Sequence, residues 1–118
     1  MALVLRKRPE MELTREQKEL MQDACYRAAP REACGVIAGG LVYELTNFSS
    51  DPGTFHIRGQ ELAPIVAAHG GYDAVWHTHP SGDLLPSETD RANHPWPAAL
   101  VIATRKAVAV YLHEYAEA

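Results

Sequence analysis

Apolar residues along this chain recur with two different spacings, and the change from one to the other predicts its elements. From Thr14 to about Ala29 the residues Leu13, Leu20, Met21, Ala24 and Ala28 fall at roughly helical intervals, and Thr14 with Gln17 has the form of a capping box. A helix is expected there, closed by Pro30, which cannot continue the backbone bonding. Val36-Ile37-Ala38 and Leu41-Val42-Tyr43-Glu44-Leu45 flank Gly39-Gly40, the pattern of two strands joined by a tight turn. Glu32 then lies at the entry to the first of them. Asp51-Pro52-Gly53 punctuates a turn before Thr54-Phe55-His56-Ile57, read as a short strand, and Gln60 to His69 is read as a second helix that Gly70-Gly71 ends.

Ala74-Val75-Trp76 has the composition of a short buried strand, which Pro80 must end because it lacks an N–H. Ser87, three residues before Asp90, marks a further helix start. Ala98 to Ala103 and Ala107 to Leu112 are apolar runs about Thr104-Arg105-Lys106, expected to pair as a second hairpin. This order of helices and strands predicts an α+β (mixed α/β) sandwich around a curved sheet.

With 118 residues and 47% hydrophobic content, a single domain over residues 1–118 is expected. No apolar run reaches the ~20 residues that span a bilayer, so no membrane role is expected. The brief apolar patch before Arg6-Lys7-Arg8 reverses the order of a signal peptide. Two cysteines, Cys25 and Cys34, form no disulfide framework, and a reducing cytoplasm is the expected location, the host's if the gene is a phage's. A net charge of −4 gives no nucleic-acid footprint, and the Arg6-Lys7-Arg8 cluster reads as a solvated tail.

The chemistry concentrates in His77-Thr78-His79-Pro80 and, a short loop later, Ser87 and Asp90. Histidines two apart on an extended segment point to the same face, so both imidazoles can reach one ion. Asp90 offers a hard carboxylate as a third ligand, and three protein ligands leave a position for water, as in catalytic zinc sites. Each residue also has a plainer reading: histidines often bond backbone carbonyls, and Ser87 with Asp90 could be only a helix cap. His56, His69, His94 and His113 lack ligand spacing, and of these His94, four residues beyond Asp90, is the one expected to approach a metal. Several other His-x-His enzymes are excluded. Barrel hydrolases need ~250 residues, the metallo-β-lactamase pattern wants an Asp and a His where Ser81 and Gly82 stand, and zinc deaminases need a Pro-Cys-x-x-Cys. Cys34 as a nucleophile is an open alternative, although a small residue before an apolar strand is usually buried.

Taken with Glu32 in Arg-Glu-Ala-Cys-Gly, the string His77-Thr78-His79-Pro80, six residues, then Ser87-Glu88-Thr89-Asp90 closely resembles the JAMM motif of the MPN-domain zinc metalloproteases. The resemblance implies that His77, His79 and Asp90 bind Zn2+, that Glu32 is the general base and acid, and that Ser87 stabilises the oxyanion. It implies an MPN/JAMM-like (cytidine-deaminase-like) fold, a curved mixed sheet between two main helices. The stretch Tyr43 to Pro52 followed by Phe55-His56-Ile57 resembles the JAMM domain of bacteriophage tail-assembly proteins, while relatives of similar size process ubiquitin-fold sulfur carriers. The implied activity is hydrolysis of a peptide or isopeptide bond in an extended tail or linker of a phage-tail or ubiquitin-fold protein. The insertions with which eukaryotic deubiquitinases grip ubiquitin have no room between Pro80 and Ser87.

Substrate tails are expected to add a strand to a sheet edge beside the metal, with Phe48 as a rim contact, Trp96 as a core plug and the Ser81 to Pro86 loop, freed by Gly82, closing over the site. The contrasting expectation is a non-catalytic MPN-type scaffold in an assembly such as a phage tail.

Overall fold

The computed structural model describes residues 11–112; the Arg6-Lys7-Arg8 cluster and His113 lie outside the described residues. Its elements in chain order are α1 (Arg15–Ala28), β1 (Cys34–Ala38), β2 (Leu41–Leu45), α2 (Gly59–His69), β3 (Ala74–Thr78), α3 (Glu88–Asn93), β4 (Ala99–Ala103) and β5 (Val108–Tyr111). The five strands form one mixed sheet in the order β2-β1-β3-β4-β5. Only β3 and β4 are parallel; the remaining neighbours, including both expected hairpins, are antiparallel. Among the described residues no helix is long and apolar enough to cross a membrane.

Each face of the sheet buries one helix, as alternation along the strands requires. Ile37, Trp76 and Val101 point to one face, where they pack with Met21 and Ala24 of α1. Val36 and Val75 point to the other, where α2 contributes Ile65 and Leu62. The capping box of α1 forms as expected: Gln17 N–H donates to Thr14 Oγ1 at 3.0 Å and Thr14 N–H to Gln17 Oε1 at 2.8 Å. Its buried stripe is Met21, Ala24 and Cys25, whereas Leu20 is 50% exposed. Leu20 lies one position off the face that meets the sheet. At the end of α2, Gly70 takes the left-handed conformation at φ 75° and donates its N–H to the Val66 carbonyl at 2.8 Å.

Thr54 to Ile57 is not a strand, contrary to the sequence expectation. Its polar backbone is satisfied locally, because His56 N–H donates to Asn47 Oδ1 at 3.1 Å and the Thr54 carbonyl accepts from Asn47 Nδ2 at 3.0 Å. One side-chain amide, with a single backbone bond from Phe48 N–H to the His56 carbonyl at 2.9 Å, thus takes the place of a neighbouring strand.

Gly35 leaves no room for a side chain. Trp76 stands opposite it on β3, and the indole reaches across β1 to donate to the Tyr43 carbonyl on β2 at 3.2 Å. A Cβ at Gly35 would collide with that carbonyl oxygen and lie 2.8 Å from the indole nitrogen. Gly35→Ala is therefore expected to destabilise the fold by about 1–3 kcal/mol, read as a lowered midpoint in urea with an unchanged slope.

Candidate metal and catalytic centre

His77 lies on β3 in register with Cys34 of β1 and Ile102 of β4, so its ring is on the α2 side of the sheet. Alternation sends Thr78 to the opposite face and returns His79 to the side of His77. Thr78 is fully buried and holds Ala33 twice: its Oγ1 accepts the Ala33 N–H at 2.8 Å, and its N–H donates to the Ala33 carbonyl at 3.0 Å. Glu32 precedes Ala33, so this clasp fixes the base of the Glu32 side chain beside the histidines. Extended pairing continues one residue past β3, because His79 N–H donates to the Ala103 carbonyl at 3.0 Å. Sequence reasoning fixed on the two histidines and missed the residue between them; the available signal was a β-branched polar residue on the core-facing phase of a buried strand.

Three side-chain atoms converge. His77 Nε2 lies 3.0 Å from His79 Nε2 and 3.1 Å from Asp90 Oδ2, and His79 Nε2 lies 3.3 Å from the same oxygen. A second carboxylate borders the pair at greater distance, with Glu32 Oε2 3.9 Å from His79 Nε2. Glu32, His77 and His79 also offer ligand atoms that all lie within 4.8 Å of one another. Of the two carboxylates, Asp90 shares the tight triangle and Glu32 stands behind it. The triangle fits a small divalent cation, since the edge between ligands of a tetrahedral zinc is about 3.3 Å for bonds of ~2.0–2.2 Å.

The proton positions suit the same donor set. His79 Nδ1 lies 2.7 Å from the Asp83 carbonyl oxygen and must carry hydrogen to bond it, leaving the Nε2 lone pair of the neutral ring aimed at the triangle. Buried His77 Nδ1 and Glu32 Oε1 have no hydrogen-bond partner among the described residues, and the Phe55 ring stacks on His77 at 4.6 Å.

Their surroundings shift the two carboxylates in opposite directions. Burial pushes the Glu32 carboxyl up to about 7, against the pull of His79 and with the Asp90 and Asp51 charges adding to the rise. Burial acts on Asp90 in the same sense, yet hydrogen bonds with His77 and His79, together with the Ser87 N–H, hold it well below the usual carboxylate range. Burial lowers His77 against the opposing pull of Asp90, and hydrogen bonding to Asp90 raises His79 against burial. The site thus pairs a carboxylate whose contacts favour the charged form with one able to exchange a proton near neutrality.

Asp90 is aimed by the cap of α3. Ser87 Oγ accepts the Asp90 N–H at 3.0 Å while Ser87 N–H donates to Asp90 Oδ2 at 2.9 Å, the same oxygen that meets both histidines. The cap thus also aims the Asp90 oxygen that completes the triangle.

Several expectations for the surroundings are corrected. His94 does not approach the triangle with its Nε2, which instead bonds the Ala98 carbonyl at 2.6 Å. Trp96 is half-buried against the His94 ring at 4.2 Å and is not a core plug. Residues Ser81 to Pro86, expected to close over the site, carry hydrogen bonds in this structure: Asp83 bonds His79, Leu85 N–H donates to Asp83 Oδ1 at 2.9 Å, and the Leu84 carbonyl accepts from Tyr111 OH at 2.7 Å. Gly82, at φ 89°, shapes a turn that donates back to the His79 carbonyl at 3.0 Å. Among the described residues the sheet ends at β2 and β5, each separated from the histidine strand by one other strand. Cys34 is fully buried, and burial pushes its thiol up to about 12, which disfavours a nucleophilic role. Phe48 is 43% exposed beneath the Arg58 guanidinium, 4.0 Å from its ring centre.

A family model of prokaryotic homologs of the JAB domain matches residues 14–115 of the chain. The desampylase of Haloferax volcanii is 30% identical over 98 residues, which cover 73% of this chain and 70% of that protein. The solution structure of a Desulfitobacterium hafniense protein superposes with a TM-score of 0.67 over 82% of this chain and 78% of that one. Its 24% identity speaks for a shared fold alone.

Thr78→Val keeps the shape of the buried side chain and leaves the Ala33 N–H without an acceptor, so a loss of about 1–3 kcal/mol is expected in chemical denaturation. Ser87→Ala removes the cap and should cost about 1 kcal/mol in the same measurement.

Proposed function

The chain belongs to the family of prokaryotic homologs of the JAB domain, and from that footing we propose that it is a zinc-dependent peptidase or isopeptidase. The observation that carries this reading is the triangle of His77 Nε2, His79 Nε2 and Asp90 Oδ2, with buried Glu32 one step behind it. Those three atoms would hold one Zn2+, which when bound supplies Lewis acidity that brings the pKa of water to about 7 and polarises a carbonyl.

The chain's own groups complete the chemistry. Glu32 Oε2 takes the proton of the attacking water and returns it to the departing amine, a task that suits a carboxyl held near neutrality. Ser87 donates its hydroxyl hydrogen to the carbonyl oxygen as charge develops there, a contribution of ~3 kcal/mol at comparable sites. The pinned Asp83 carbonyl keeps His79 in the tautomer that presents Nε2.

The substrate we propose is a protein with an extended tail or linker. Similarity to a desampylase favours a ubiquitin-fold partner over a phage-tail protein. A non-catalytic scaffold of the same fold would have no use for a buried carboxylate facing the histidines.

Glu32→Gln should lower turnover of a ubiquitin-fold protein bearing a C-terminal fluorogenic amide by at least about 100-fold while the melting temperature stays near wild type; an active variant would refute the proposed base. His77→Ala should lose the zinc that the wild-type protein binds, and full retention would show that the ligands are misassigned.

A further inference from the structure

Among the described residues, the face of the sheet that carries His77 is incompletely covered. Between α2 and α3 it opens into a cleft of about 470 Å³. Val36, Val75 and Leu100 form its floor, one residue from each of three adjacent strands and in register with one another. Phe55, Ile57, Leu62 and Tyr72 form apolar walls. A floor built on the central strands is pre-formed, and its volume lies in the range of ~300–1,000 Å³ typical of ligand sites.

The cleft is continuous with the reactive centre and meets it on one side only. His77, Ser87 and Asp90 line it, whereas Glu32 and His79 do not. Phe55 joins the two regions, being part of the wall and stacked on the His77 ring. Resting on the hydrolase reading above, this asymmetry has a direction. Ser87 serves the carbonyl oxygen and Glu32 serves the amine, so a cleft that shares Ser87 and excludes Glu32 lies on the acyl side. We propose that it receives an aliphatic or aromatic side chain from the substrate segment that supplies the carbonyl, and so selects substrates by an apolar residue near the end of that segment. Such a side chain leaves water for an apolar chamber while the adjoining carbonyl meets the polar end, which places the bond and selects the sequence together.

Small probes separate this inference from the reading it rests on. In zinc-loaded protein, N-acetylleucine hydroxamate should bind at least about tenfold tighter than acetohydroxamate, while N-isobutyl acetohydroxamate, with the same apolar group on the amine side, should gain nothing. Leu62→Trp, which fills the cleft from its wall, should abolish the leucine advantage while acetohydroxamate affinity stays within a few-fold of wild type. N-acetylleucine methylamide should shift the methyl resonances of Ile57, Val75 and Leu100 in metal-free protein, and the glycine analogue should not. Equal affinities for the leucine and acetyl hydroxamates, an equal gain from the N-isobutyl group, or unshifted methyls would overturn the acyl-side cleft and leave the metal centre standing. If neither acyl hydroxamate binds although the methyls respond, the hydrolase reading falls and the acyl-side assignment falls with it.

Discussion

The arrangement of the centre depends on the paired hydrogen bonds between Thr78 and Ala33. They join the entry of β1 to the exit of β3, and these two segments carry the carboxylate and the histidines. A shift of one residue there would turn His77 and His79 toward α1 and Trp76 toward α2. The Trp76 indole crossing Gly35 resists such a slip, since only glycine leaves room for it. From the other side, Asn47 Nδ2 donates to the Glu32 carbonyl at 2.9 Å, so the turn after β2 braces the residue that the clasp positions. Packing, pairing and site geometry are here one set of contacts.

Environment gives the two carboxylates different work. Asp90 sits at the start of a helix, accepts the Ser87 N–H and meets two imidazoles, all of which favour its charge. Glu32 is buried with one oxygen unpartnered, which favours its neutral form. Side-chain identity alone would make them equivalent. The difference comes from the elements that deliver them: a capped helix start in one case and the buried entry to a strand in the other.

Features governed by local rules were legible in the sequence. The Thr14–Gln17 and Ser87–Asp90 caps, the Gly39-Gly40 turn and the same-face histidines follow from spacings of two to four residues, and each is present. What escaped the sequence reading depends on which of several available partners captures each group, whether near in the chain or far along it. Thr54 to Ile57 has strand composition, but the Asn47 side chain, Phe48 N–H and the Asp51 carbonyl supply its backbone hydrogen bonds. His94 has a tempting distance from Asp90, yet the Ala98 carbonyl captures it. Gly82 suggested a mobile loop, and Tyr111 on the edge strand holds that loop by its backbone. The importance of Thr78 was hidden because its partner, Ala33, lies 45 residues away. Family resemblance singled out Glu32 together with the histidines, which periodicity alone does not link, while the cleft beneath α3 emerges only from three strands in register.

The central claim is that Asp90 holds the metal and Glu32 moves protons beside it. Zinc affinity of Asp90→Asn and Glu32→Gln, measured in parallel by competition with a chromophoric chelator, tests this division most directly. The account predicts that Asp90→Asn weakens zinc binding by at least about 100-fold, beyond the 10–100-fold typical of lost supporting contacts, while Glu32→Gln stays within a few-fold of wild type. Equal weakening by both, or weakening by Glu32→Gln alone, would contradict it and place Glu32 among the ligands.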